Sequence, residues 1–236
     1  MRKTINLFGY YKNDVDLFFD KIDLELKGLS YTVKERYYET EVEISGNAEM
    51  LEEYNDAVRR FGEAFKNVIY GIDEENVYKC AFKLLKEKGI KIAFAEGVSG
   101  GRIASEFIAS AEEDVKNVLV QVDVVLSEES QAKRFGIDPK FFEKNKLESV
   151  EAVYELARGS LYVSGANMVI ATEGTTNESS IDNGKCFIAV GDNQVINVFK
   201  HTFSGSKNKI MQQIAKYSFL HLIRKLRENN LDYLTR

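Results

Sequence analysis

The chain has 236 residues, 44% of them hydrophobic and 29% charged, and a formal net charge of −5. That balance is globular, being neither the low-hydrophobicity signature of disorder nor the composition of a fibrous or membrane protein. No apolar run reaches the roughly 18 residues of a spanning helix, the opening MRKTINLFGYYKNDVDL holds no stretch of signal-peptide length, and the acidic balance argues against broad nucleic-acid binding, so a cytoplasmic protein is expected.

Thr4 to Phe8 predicts a short strand, and Asn13 or Asp14 can cap a helix with Val15, Phe18, Phe19, Ile22 and Leu26 on one face, stopped by Gly28. Tyr38, Thr40, Val42 and Ile44 alternate with Glu39, Glu41 and Glu43, the period of a strand with one wet face. A helix follows from about Ala48 to Phe65. Around Val68 to Asp73 the pattern breaks, which places a domain boundary there: a small α+β domain over 1–72 and a larger one over 73–236.

In the larger domain, helices are expected at about Glu75 to Lys88, Arg102 to Ala111, Glu128 to Phe135, Ser149 to Val163 and Lys207 to Asn229. Strands are expected at Ile90 to Ala95, Val118 to Val125, Met168 to Ala171, Cys186 to Val190 and Val195 to His201. Helices alternating with apolar strands predict an α/β domain with the sheet covered on both faces, a three-layer α/β/α arrangement.

Cys80 and Cys186 sit far apart in apolar surroundings and read as buried thiols. With His201 and His221 as the only histidines, no paired spacing suits zinc, and His221 reads as a helix-packing residue. No metal or cofactor is expected. Tyr10, Tyr11, Tyr37 and Tyr38 could stack bases, but their acidic neighbours favour an ordinary core or surface role.

The sharpest motif is Glu96-Gly97-Val98-Ser99-Gly100-Gly101-Arg102, a glycine-rich turn between a buried strand and a helix. Such a turn can aim backbone N–H groups and a helix N-terminus at an anion. It is neither a Walker loop nor a dinucleotide fingerprint, because the GK[ST] and GxGxxG patterns are missing. A second candidate is the loop Thr172-Glu173-Gly174-Thr175-Thr176-Asn177-Glu178-Ser179-Ser180, expected beside the first. Ser127 reads as a helix cap, and Lys207, at the start of the last helix, could reach an anion or only water.

The fragments Asn6-Leu7-Phe8-Gly9, Val68 to Glu75, Ala95 to Gly101 and Phe203-Ser204-Gly205 fall in the order and spacing of the competence/damage-inducible CinA family, which the chain resembles over essentially its whole length. The resemblance does not include that family's large N-terminal molybdopterin-binding-like domain. It implies a KH-like domain over 1–72, followed by the C-terminal domain that in active members hydrolyses the amide of nicotinamide mononucleotide (NMN).

The departures bear on chemistry. Active members carry AESCTGG with its first serine as nucleophile, and Gly97 stands there, followed by Val98 and Ser99. The assisting tyrosine and lysine of YSNEAK are matched by Leu126 and Gln131. The TGIAGP loop keeps Thr172 but has Glu173 and Gly174 next, and the GDR before the last helix becomes Gly205-Ser206-Lys207. No catalytic residues are therefore assigned. The expected ligand set is Glu96, Gly97, Val98, Ser99, Gly100, Gly101, Ser127, Thr172, Glu173 and Lys207, facing a nucleotide-like or anionic small molecule. Two alternatives stand: an active amidohydrolase with a relocated nucleophile at Ser99 or Ser127, and an interaction protein forming homo-oligomers.

Overall fold

The computed structural model describes residues 1–36, 39–73, 76–111 and 115–227. The described residues divide into two compact units, one within 1–80 together with Arg227, the other within 81–226.

The first unit is built from β1 (Arg2–Phe8), α1 (Lys12–Lys21), β2 (Ser30–Arg36), β3 (Glu39–Ser45), α2 (Leu51–Phe65) and β4 (Ile69–Ile72). The strands form one antiparallel sheet in the order β2-β3-β1-β4, the split β-α-β arrangement. Both helices lay their apolar stripes on one face of it. Val15 and Phe19 of α1 and Ala57, Phe61 and Phe65 of α2 share a core with Ile5, Leu7, Val42 and Ile44, and Phe19 stacks on Phe61 at 5.2 Å.

The small domain is α+β as expected, with three differences in detail. The first helix stops at Lys21, and Gly28 instead closes a separate 3₁₀ turn over Glu25–Lys27. Its N-cap is Tyr11, with Asp14 in the first turn accepting the Tyr11 N–H at 3.3 Å. The break at Val68 to Asp73 is a short strand, β4, hidden because four residues show too little alternation. Tyr37, Tyr38, Glu74 and Glu75 lie outside the described residues.

Next come α3 (Val77–Glu87), β5 (Ile92–Glu96), α4 (Arg102–Ser110), β6 (Leu119–Val124), α5 (Glu128–Phe135), α6 (Pro139–Phe142), α7 (Val150–Ser164), β7 (Met168–Gly174), β8 (Lys185–Asp192), β9 (Ile196–Thr202) and α8 (Lys207–Arg227). The sheet order is β6-β5-β7-β8-β9, parallel across β6, β5 and β7 and antiparallel from β7 to β9. β5 is buried along its whole length, which is why it reads as an unbroken apolar run rather than an alternating one.

Alternate residues of these strands serve opposite layers. Phe94 meets Phe107 of α4 and Phe219 of α8 at 5.4 and 5.8 Å. Ala95, Val169, Ala171 and Phe187 join Val153, Leu156 and Ala157 of α7 and Phe135 of α5. The domain is thus a three-layer α/β/α sandwich, as the sequence predicts. Both cysteines are buried, and burial pushes the Cys186 thiol up to about 12. Among the described residues, no helix is long and apolar enough to cross a membrane.

Candidate functional site

The parallel strands β5 and β7 end side by side, with Glu96 opposite Thr172 in the register. The loops that follow must therefore meet at the carboxyl end of the sheet, where open α/β folds place their ligands. They do: the Gly97 N–H donates to Thr172 O at 2.9 Å.

Glu96 is fully buried, yet its carboxylate is well provided with donors. It accepts from Ser99 Oγ at 2.8 Å, from the Ile103 N–H at 3.0 Å and from the Ala104 N–H at 2.9 Å. These last two belong to the first turn of α4, where helix geometry leaves N–H groups without an intrahelical partner and the helix end carries partial positive charge. Ser99 Oγ also lies 2.7 Å from Thr172 Oγ1, joining the two loops through a hydroxyl pair.

Several donors of the turn that could face an anion are engaged within the protein. The Ile103 and Ala104 donors are held by an internal carboxylate, while Gly100 N–H donates to Gly97 O at 3.1 Å and Arg102 N–H to Ser99 O at 3.0 Å. The turn satisfies much of its own backbone.

Gly97 has a different neighbour above it. A Cβ at this position would lie 2.5 Å from Glu173 Oε1 and 2.6 Å from Oε2, closer than real Cβ atoms approach. Glu173 is 4% exposed. Its carboxyl accepts a hydrogen bond from Nε2 of Gln131, itself fully buried on α5. Burial drives the Glu173 carboxyl up to about 8, and the nearby Glu148 charge adds to the rise, against the lowering effect of bonds from Gln131 and the Gly174 N–H. Oε1 of Gln131 is buried without a hydrogen-bond partner.

Of the residues singled out from sequence, the structure brings together Glu96, Gly97, Ser99, Thr172, Glu173 and Gln131. Val98 is half-buried and Gly100 exposed in the turn, with Met211 of α8 near Gly100. Ser127 is exposed and caps α5, accepting the Ser130 N–H at 3.2 Å; the neighbouring Leu126 is 71% exposed. Lys207 is exposed at the first position of α8. A separate open groove of about 650 Å³ runs along α5 and α6, past Glu129, Lys133, Ile137 and Phe142.

Two contacts were not visible in the sequence: the Glu173–Gln131 pair over Gly97, and a histidine pair in which His201 and His221 meet at 2.9 Å. Among the described residues, no group of three or more His, Cys, Asp or Glu is placed to hold a metal.

The profile of the CinA C-terminal domain matches residues 74–226, more than half of the chain. The chain belongs to the CinA family. A CinA-like protein of Kosmotoga olearia is 26% identical over 166 residues, which cover 68% of this chain and 39% of that one. A CinA-like protein of Fervidobacterium nodosum is 25% identical over 183 residues, 76% of this chain and 44% of that one. The chain thus spans about two fifths of the length of these curated relatives. Its fold is shared with a crystal structure of a competence-damaged protein (CinA) superfamily protein from Klebsiella pneumoniae, at TM-score 0.60 and 20% identity, over 65% of this chain and 99% of that one.

Proposed function

We propose that the C-terminal part of this chain is a CinA domain that keeps the fold without the deamidase chemistry, and that it binds a nucleotide-like small molecule at the loops carrying Gly97 and Glu173. One observation carries the loss of chemistry: the Glu173 carboxyl stands within 2.6 Å of where a Cβ on residue 97 would be. Activated-hydroxyl chemistry needs a nucleophile, a base within hydrogen-bond reach and donors for the oxyanion. By the family pattern the nucleophile position is Gly97, and Leu126 and Gln131 stand for its helpers.

A relocated nucleophile has less support. Ser99 is fully buried, with its hydroxyl bonded to Glu96 and Thr172, and the Ser127 hydroxyl is used in capping α5. The family resemblance supports a KH-like domain over 1–72 and a division at 72/73. Homo-oligomerisation through the exposed edge strand β6 fits the outward-facing Val120, Val122 and Val124. A cytoplasmic location belongs to the same reading.

The test is a thermal-shift screen of the protein with NMN, nicotinic acid mononucleotide and ADP-ribose, with ammonia release assayed on every hit. A ligand that binds only the folded state raises the melting temperature by mass action, so a saturable shift without ammonia is expected. Ammonia release with turnover would overturn the reading.

A further inference from the structure

The binding reading leaves open which chemical group the centre of the site receives, and three features of the structure bear on that. First, the polar group at the centre is a carboxyl: Glu173 fills the space over Gly97. Second, the charge that would draw an anion to the α4 N-terminus is already met by Glu96, through the Ile103 and Ala104 N–H groups. Third, Gln131 is fully buried, gives its amide N–H to Glu173, and keeps Oε1 with no hydrogen-bond partner. A buried acceptor without a donor costs free energy until one arrives.

The group that would complete this centre is a donor. A carboxamide oxygen accepts, and the Glu173 carboxyl accepts through both oxygens once it is ionised, so an amidine, amine or amide N–H supplies what they lack. An anionic group would meet Glu173 with the Glu148 charge nearby, and the Glu96 carboxylate already sits at the helix terminus. In Coulombic terms each of these opposes it.

We propose that Glu173 is the specificity-determining group of this site: with Gln131, it takes the volume that a side chain at position 97 would need and leaves an acceptor-lined centre that receives an N–H donor and turns anions away. The inference rests on the site being a binding site. The site exchanges a hydroxyl presented from the end of β5 for a carboxyl presented from the end of β7, so a serine restored at position 97 would have to displace the Glu173 carboxyl before it could take up the family's arrangement.

The test uses the full chain and two probes of the same shape, benzamidine and benzoate, with inorganic phosphate as a third. Benzamidine is expected to raise the melting midpoint saturably, while benzoate and phosphate at the same concentrations leave it unmoved. The benzamidine shift should grow from about pH 6 to about pH 9, as the cation meets an ionised carboxyl, and Glu173→Gln should weaken binding about tenfold, roughly the loss of one charge-assisted bond. Stabilisation by benzoate or phosphate, a benzamidine effect undiminished in Glu173→Gln, or no benzamidine effect while the nucleotides of the screen still bind, would overturn this inference and leave the binding reading standing. No shift with any probe or nucleotide would sink both.

A stability cycle checks the steric half without any ligand. Gly97→Ala should lower the melting midpoint by roughly 5 °C in the parent, as overpacking of a filled site does, and by much less in a Glu173→Ala background. An equal loss in both backgrounds would overturn the proposal.

Discussion

His201 Nε2 and His221 Nε2 lie 2.9 Å apart, so one imidazole must donate and the other accept. His221 also stacks on Phe199 with ring centroids 3.6 Å apart, and its Nδ1 is buried with no partner. Protonating the accepting ring at Nε2 would turn a donor toward a donor, and charging the other would place a cation in a buried site. Burial, with the facing His201 and the Arg224 charge, drives His221 down from 6.5 to about 3, and burial lowers His201 as well.

An acid-labile fold follows from that pair. Because the folded state holds both rings neutral, the unfolded chain takes up protons first as pH falls below about 6.5, and stability is lost from there down to about pH 3. The loss amounts to at most about 1.4 kcal/mol per pH unit for each ring. Denaturant melts at pH 7, 6 and 5 should show a steeper decline in the parent than in His221→Gln, which keeps an acceptor but cannot charge. Equal slopes would remove the pair from the account.

How far the sequence anticipates this molecule depends on the range over which each signal acts. The layers of the second domain follow from apolar runs such as Ile92 to Ala95 and from caps such as Ser127 and Ser149, which are local. β4 and α6 span four residues each, too few to show a period. The meeting of the two loops is legible because both follow strands. The contact that decides the site is not local: Gly97 and Glu173 are joined only by the pairing of β5 with β7. A signal did exist, since against the family's motifs a side chain is lost at 97 and one is gained at 173, a reciprocal exchange of volume. Reading it requires knowing that the two positions touch. The two histidines similarly come from β9 and α8 and carry no shared motif.

Glu173 imposes the opposite pH dependence from the histidines. Its folded carboxyl titrates near 8 against 4.5 for the free group, so the folded state keeps a proton that the unfolded chain releases, and stability falls as pH rises from about 4.5 through about 8. Glu173→Gln preserves the shape and removes the ionisation. It should be more stable than the parent at pH 9 by an amount on the order of 2–4 kcal/mol, and near parity at pH 5. The comparison is two denaturant titrations, and a parent that loses nothing between pH 5 and 9 would contradict the buried carboxyl.

Glu96 has a different task, which a conservative substitution should expose. Its oxygens accept from Ser99 Oγ and from two α4 backbone N–H groups in a fully buried site. Glu96→Gln keeps the volume but turns an NH₂ toward at least one donor, and should cost about 2–3 kcal/mol. Ser99→Ala, which removes one donor and leaves the carboxylate its two backbone bonds, should cost about 1 kcal/mol. Chemical denaturation of the two variants orders them. Were Ser99 a nucleophile, its removal would also abolish a measurable turnover.

The loop that follows β7 is anchored at Gly184, and a comparison of two glycines shows why. Gly184 has φ +84°, its N–H donates to Thr175 O at 2.9 Å, and its carbonyl accepts from the Phe203 N–H at 2.9 Å. A Cβ there would run into the Phe203 carbonyl oxygen, which is backbone and cannot swing aside. Gly165, at the C-cap of α7, has φ +64° with nothing within 4 Å of its would-be Cβ. Gly165→Ala should therefore cost only the left-handed backbone strain, about 1–2 kcal/mol. Gly184→Ala adds a clash that must part β8 from the segment around Phe203, and should cost more than about 3 kcal/mol. It should also loosen the Thr175–Gly184 closure, seen as faster amide exchange at Gly184 and along the loop. If the two alanine variants melt together, the loop does not depend on that close approach.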